Sequence, residues 1–182
     1  MLTIVTMVMI CFAARATDDD KSRRVDDIKA VFIYKFTGYI TWPDDEAETF
    51  TIAVLGSSRI IEPLKEIAQK RKVDSREIVI RECTELEDIS GSHILLISEA
   101  EEDHLDAILR KAETEKMLTV ADSPGFAEKG VAIDFVSEED RVGFEMNLSA
   151  LKRSGLKVSS QLVKLATLVE EDRQLDARGP SK

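Results

Sequence analysis

The apolar positions of this chain change period several times, and each change marks an element. Val25, Ile28, Phe32, Phe36 and Tyr39 recur at three- and four-residue spacing, the stripe of an amphipathic helix over Val25 to Ile40. Pro43 stops it, because proline has no amide donor and restricts the residue before it. Phe50 to Leu55, FTIAVL, reads as a strand ending in Gly56-Ser57-Ser58. A helix then runs to about Arg71 with Ile60, Leu64, Ile67 and Ala68 inward, Ser57 or Ser58 as its cap, and Pro63 near its first turn. Glu77 to Arg81 and His93 to Ser98 are strands, and the unbroken run HILLIS suits one covered on both faces. A helix from Glu102 to Glu113 turns Leu105, Ile108, Leu109 and Ala112 inward, and Met117 to Ala121 is a fourth strand.

Asp122-Ser123-Pro124-Gly125 is turn chemistry. Gly130 to Val136 and Val142 to Asn147 form two strands joined by the charged turn SEEDR. A short helix begins at Asn147 or Leu148 and Gly155 breaks it. A last helix runs from Ser159 or Ser160 to about Val169, with an apolar stripe of Leu162, Val163, Leu165, Ala166 and Val169. The polar tail from Glu170 to Lys182 is expected to fray. Alternating strands and helices predict a three-layer α/β fold: a largely parallel sheet, helices on both faces, and an antiparallel C-terminal hairpin.

Leu2 to Phe12 breaks every such period. This apolar run precedes Ala14-Arg15-Ala16 and an acidic cluster at Asp18, Asp19 and Asp20. That is the pattern of a cleavable export signal, although no Lys or Arg precedes the run. The run is too short for a bilayer span, which needs about 20 apolar residues. Cleavage after about Ala16 divides the chain into a signal over 1–16, one domain over 17–170, and the tail over 171–182. It also removes Arg15 and takes the net charge from −10 to −11.

A chain this acidic repels phosphate backbones and anionic lipid, so nucleic acid is not an expected partner. The 43% apolar content is enough for a core. Of the two cysteines, Cys11 leaves with the signal, and Cys83 is expected to be buried rather than paired.

The carboxyl ends of the strands, where α/β enzymes hold their sites, offer Gly56-Ser57-Ser58, Ser98-Glu99 and Asp122-Ser123. No glycine-rich phosphate motif and no nucleophile elbow accompanies them. His93 and His104 have no ligand partners at metal-binding spacing. Asp122 is a turn or cap residue before it is a general base, and Asn147 fits a helix cap. No catalytic residue, metal or cofactor is assigned. Trp42, the only tryptophan, reads as a core plug or an interface anchor.

Six segments in order complete the reading. They are KAVFIYKFTGYITWP from Lys29, FTIAVLG from Phe50, HILLIS from His93, LTVADSPGFAEKG from Leu118, FEMNL from Phe144 and GLKVSSQLVKLA from Gly155. Together they resemble the YfiR/HmsC-like periplasmic family. The resemblance implies an exported α/β regulator and not an enzyme. It implies a partner in the periplasmic sensor part of a membrane-bound diguanylate cyclase, with release raising cyclic di-GMP and favouring biofilm, or in a sensor kinase. A homodimer is left open, and the alternative is a periplasmic small-molecule binding module. Many relatives carry Cys where this chain has Ser92, and Gly-Gly where it has Gly130-Val131. A redox bridge and a backbone-approach role are therefore not carried over. The expected protein-interface residues are Trp42, Asn147, Ser160 and Gln161.

Overall fold

The computed structural model describes residues 20–43, 45–138 and 141–170. The expected signal segment and the tail over 171–182 lie outside them. The strands are β1 (Ile40–Thr41), β2 (Phe50–Leu55), β3 (Lys72–Val73), β4 (Arg76–Cys83), β5 (Ile94–Ile97), β6 (Leu118–Ala121), β7 (Ile133–Glu138), β8 (Arg141–Met146), β9 (Lys157–Val158) and β10 (Thr167–Leu168). The helices are α1 over 20–36, α2 (Ile61–Lys70), α3 (Leu105–Thr114), α4 (Leu148–Arg153) and α5 (Ser160–Val163).

Eight strands form one sheet in the order β10-β8-β7-β6-β5-β2-β4-β3. The pairs β4-β2-β5-β6-β7 are parallel, whereas β7 and β8 form the antiparallel hairpin. Strand alternation sorts the core into two layers. Phe50, Ile52, Val54, Ile94, Leu96, Leu118 and Val120 face a cluster with Ala30, Ile33 and Phe36 of α1 and Leu64 of α2. Ala53, Leu55, Leu95, Ile97 and Ala121 face the opposite side with Leu105, Ile108, Leu109 and Ala112 of α3. Successive side chains point to opposite faces, so runs such as FTIAVL and HILLIS must be apolar throughout. The three-layer α/β architecture follows, with α1 and α2 on one face and α3 on the other.

The ends of the chain differ from expectation. The first helix stops at residue 36 instead of reaching Ile40. Thr37, Gly38 and Tyr39 donate to the carbonyls of Tyr34, Lys35 and Phe36 at 3.2, 3.0 and 2.9 Å, a tightening turn. β-Branched Ile40 and Thr41 are then extended and pair with β9, where a ladder outweighs one more helical turn. At the other end, α5 has four residues. Instead of a helix to Val169, Thr167 and Leu168 pair in parallel with Glu145 and Met146 of β8. The hairpin is therefore not the sheet edge, because β10 covers it. The expected stripe docks in part: Leu162 is buried, whereas Leu165 is 68% exposed.

Two further details correct the outline. Ser58 Oγ accepts from Ile60 N at 3.3 Å, before α2 begins, and no side chain caps the helix itself. β3 and β4 form a tight hairpin through Asp74 and Ser75, both at positive φ (47° and 68°). These backbone angles suit a type I′ turn and Asp tolerates them, but the pair lacks the Asn-Gly signature that announces one.

Candidate functional site

The expected interface residues come from the two ends of the chain, and the fold pairs the segments that carry three of them. Antiparallel β1 and β9 form a separate two-stranded ribbon with Ile40 opposite Val158 and Thr41 opposite Lys157. The backbone contact continues as Ser159 N donates to the Tyr39 carbonyl at 2.8 Å. Trp42 leaves one end of this ribbon. At the other end Ser159 caps α5, its hydroxyl accepting from Gln161 N at 3.2 Å. Ser160 and Gln161 are both exposed. The aromatic first segment and the Gly155 segment are thus neighbours in space.

The chain reaches β9 through a sharp turn. Gly155 has φ 69°, and the amides of Leu156 and Gly155 donate to the carbonyls of Leu151 and Lys152 at 3.0 and 3.1 Å. This is a Schellman termination of α4, which needs a left-handed residue where Gly155 stands.

Trp42 is half-buried. Its Nε1 donates to the His93 carbonyl at 3.0 Å, and its ring meets Phe50 edge-on at 5.2 Å between centroids. His93 stacks on Phe50 at 4.4 Å. Thr51 N donates to His93 Nδ1 at 3.0 Å, so that nitrogen carries no proton and Nε2–H points to Asp45 Oδ1, 3.1 Å away. Arg76 donates to the second Asp45 oxygen at 2.5 Å and lies over the Phe50 ring at 5.3 Å. Burial raises the Asp45 carboxyl, but the Arg76 and His93 hydrogen bonds outweigh it and hold it below the ordinary range. This network anchors Trp42 at the amino ends of β2 and β5, away from the usual catalytic end.

Asn147 sits elsewhere. It is 1% exposed. Its Oδ1 accepts from Ala150 N at 3.0 Å, capping α4, and its Nδ2 donates to the Ala127 carbonyl at 2.8 Å. It ties the 123–130 turn to the helix that leads into β9.

The carboxyl end of the sheet has its switch point between β2 and β5, since α2 and α3 leave on opposite faces. There the two loops touch. Gly56 has φ 82°, and a Cβ on it would lie 2.8 Å from Ser98 Cβ. Beside them, both oxygens of Asp122 accept from Lys29 Nζ at 2.7 and 2.6 Å. The Lys29 side chain is 7% exposed, so Asp122 neutralises a buried ammonium. Asp26 pairs with Arg59 at 3.1 Å. Behind Asp122, fully buried Asp134 accepts from Ser123 N and Phe126 N at 3.1 and 3.0 Å. Burial, only partly offset by those bonds, pushes its carboxyl up to about 6.

Lys29 and Asp134 were missed as site residues. A lysine inside a helical apolar stripe and an aspartate in the strand VAIDFV were the available signals, because such charges need partners when buried. Cys83 is buried, and burial pushes its thiol up, which disfavours the thiolate. Among the described residues no helix is long and apolar enough to cross a membrane.

No curated protein matches the chain. Among solved structures it is similar to a conserved domain protein of Vibrio cholerae O1 biovar El Tor, with a TM-score of 0.55 and 11% identity over 79% of this chain and 59% of that one. It is also similar to CD0873, a substrate binding protein with adhesive properties from Clostridium difficile (TM-score 0.50, 17% identity, 68% of this chain and 55% of that one). A third is an ABC domain in complex with L-Trp from Streptococcus pneumonia (TM-score 0.50, 12% identity, 66% and 55%). At these identities the likeness is one of fold, and this chain spans little more than half the length of each. A family model described as YfiR/HmsC-like matches residues 26–167, which takes in all six sequence segments, and the chain belongs to that family.

Proposed function

We propose that this protein is an exported, periplasmic protein-binding regulator. In this reading it holds down the sensor part of a membrane-bound diguanylate cyclase, or of a sensor kinase, and release of its grip raises cyclic di-GMP. The observation that carries the reading is the family match over 26–167, which supports periplasmic regulation of cyclic di-GMP signalling at family level. The β1–β9 ribbon supports a location for the contact. It joins the two family segments and offers the open side of Trp42 together with exposed Ser160 and Gln161. Asn147 acts behind that surface, as the cap of the helix that delivers β9.

The test is affinity capture from the native host. Tagged protein, made with its own N-terminal segment, is cross-linked and its partners identified by mass spectrometry. Recovery of a membrane protein with a cyclase or kinase domain is expected. A Gln161→Arg bait should recover at least fivefold less, while Trp42→Ala should lose binding with a native far-UV circular dichroism spectrum if the indole anchors the partner. If Trp42→Ala unfolds instead, the indole is a core plug. A folded, exported bait that recovers no such partner sinks the reading and moves weight to a small-molecule binding module.

A further inference from the structure

A groove of about 510 Å³ lies between α1 and α2, on the run of α1 that precedes the ribbon. Its apolar lining comes from Val31, Tyr34, Pro63 and Ile67. Val31 is 47% exposed, because the inward face of α1 is occupied by Ala30, Ile33 and Phe36. One turn earlier, Ile28 is exposed as well.

The rim carries Arg23, Lys35, Lys70 and Arg71 against Asp27 and Glu66, an excess of cations on a protein of net charge −10. Lys70 is paired with Glu66 at 3.8 Å. Among the described residues the side chains of Arg23, Lys35 and Arg71 have no ion pair or hydrogen bond, unlike those of Arg24 and Lys65 on the same two helices. A groove that is apolar at its base and cationic, unpaired and solvated at its rim complements an occupant with the opposite arrangement.

We propose that the groove seats an acidic, amphipathic peptide segment of the regulated protein's exported part. Its apolar side chains would rest on Val31, Tyr34 and Ile67, and its carboxylates would meet Arg23, Lys35 and Arg71. The volume suits a few side chains rather than a domain face. Asp27 and Glu66, with the acidity of the whole chain, disfavour a polyanionic surface such as nucleic acid or anionic lipid. This inference rests on the regulator reading and adds where the partner is held and by what chemistry.

The test uses the full chain in its native host. A photo-crosslinking amino acid replaces Val31, or exposed Arg110 of α3 on the opposite face of the sheet as a control. Separately, a Lys35→Glu/Arg71→Glu bait is compared with wild type. The Val31 position should cross-link to the membrane partner that wild type captures, at a peptide rich in Asp and Glu. The double charge reversal should lower recovery at least tenfold at low salt, with an unchanged circular dichroism spectrum. If wild type captures the partner while both the Val31 cross-link and the charge effect are absent, the groove proposal is overturned and the regulator reading stands. A cross-linked peptide that is basic or neutral, or one from a second copy of this chain, overturns the choice of occupant. If wild type captures no membrane partner, the regulator reading falls and the groove proposal with it.

Discussion

Ser92 is buried at the start of β5, and its hydroxyl has no hydrogen-bond partner. A buried hydroxyl without a partner loses its hydration and gains nothing in exchange. The cysteine that the family resemblance puts here would fill the same space at a lower desolvation cost. Ser92→Ala should therefore stabilise the fold by about 1 kcal/mol, read as a higher thermal midpoint by calorimetry. A lower midpoint would mean that the hydroxyl does find a partner. At this scale the sequence spoke where one residue type has one common use. Asn147 before a helix was a cap, and Gly155 was a break. It was silent where the role depends on distant groups. Nothing local to His93 announces that Thr51 N, Asp45, Trp42 and Phe50 converge on it.

Among the elements, α1 and the β7–β8 hairpin hold each other through aromatic rings. Phe36 stacks on Phe135 at 6.1 Å and meets Phe144 edge-on at 5.2 Å, and Phe32 reaches the same two rings. Phe36 is fully buried, so Phe36→Ala should cost about 3–5 kcal/mol, measured by denaturant unfolding. The long elements were legible because a period repeats within them. β2 was placed at its observed bounds, and all four inward residues of α3 are buried. β1, β9 and β10 have two residues each, too short to show a period, and their strand character comes from a partner far along the chain. The pairing of the Trp42 segment with the Ser160 segment was therefore out of reach of pattern reading.

For the whole molecule, the buried carboxyl of Asp134 couples stability to pH. Its folded value of about 6 exceeds the ordinary 3.8, so folding favours the protonated form. That contribution is fully present below the unfolded value and is lost as the pH rises through about 6. Asp45, held low, acts in the opposite sense as the pH falls, so the two are separated by a variant. Denaturation midpoints of wild type should decline relative to Asp134→Asn as the pH rises from about 4 to about 6, then run parallel. Parallel curves throughout would mean that Asp134 does not titrate there.

The aromatic lock between α1 and the hairpin also imposes an order of events. α1 emerges early in synthesis, yet Phe135 and Phe144 come late, and β9 and β10 later still. Until then Phe32 and Phe36 lack the two rings of the hairpin and are covered only by the β2, β5 and β6 side of the sheet, and a chain in that condition is prone to aggregate or to need a holding chaperone. A fragment ending before β7 would keep the first βαβ unit and still be insoluble, its fault lying in a helix left waiting for strands that never arrive.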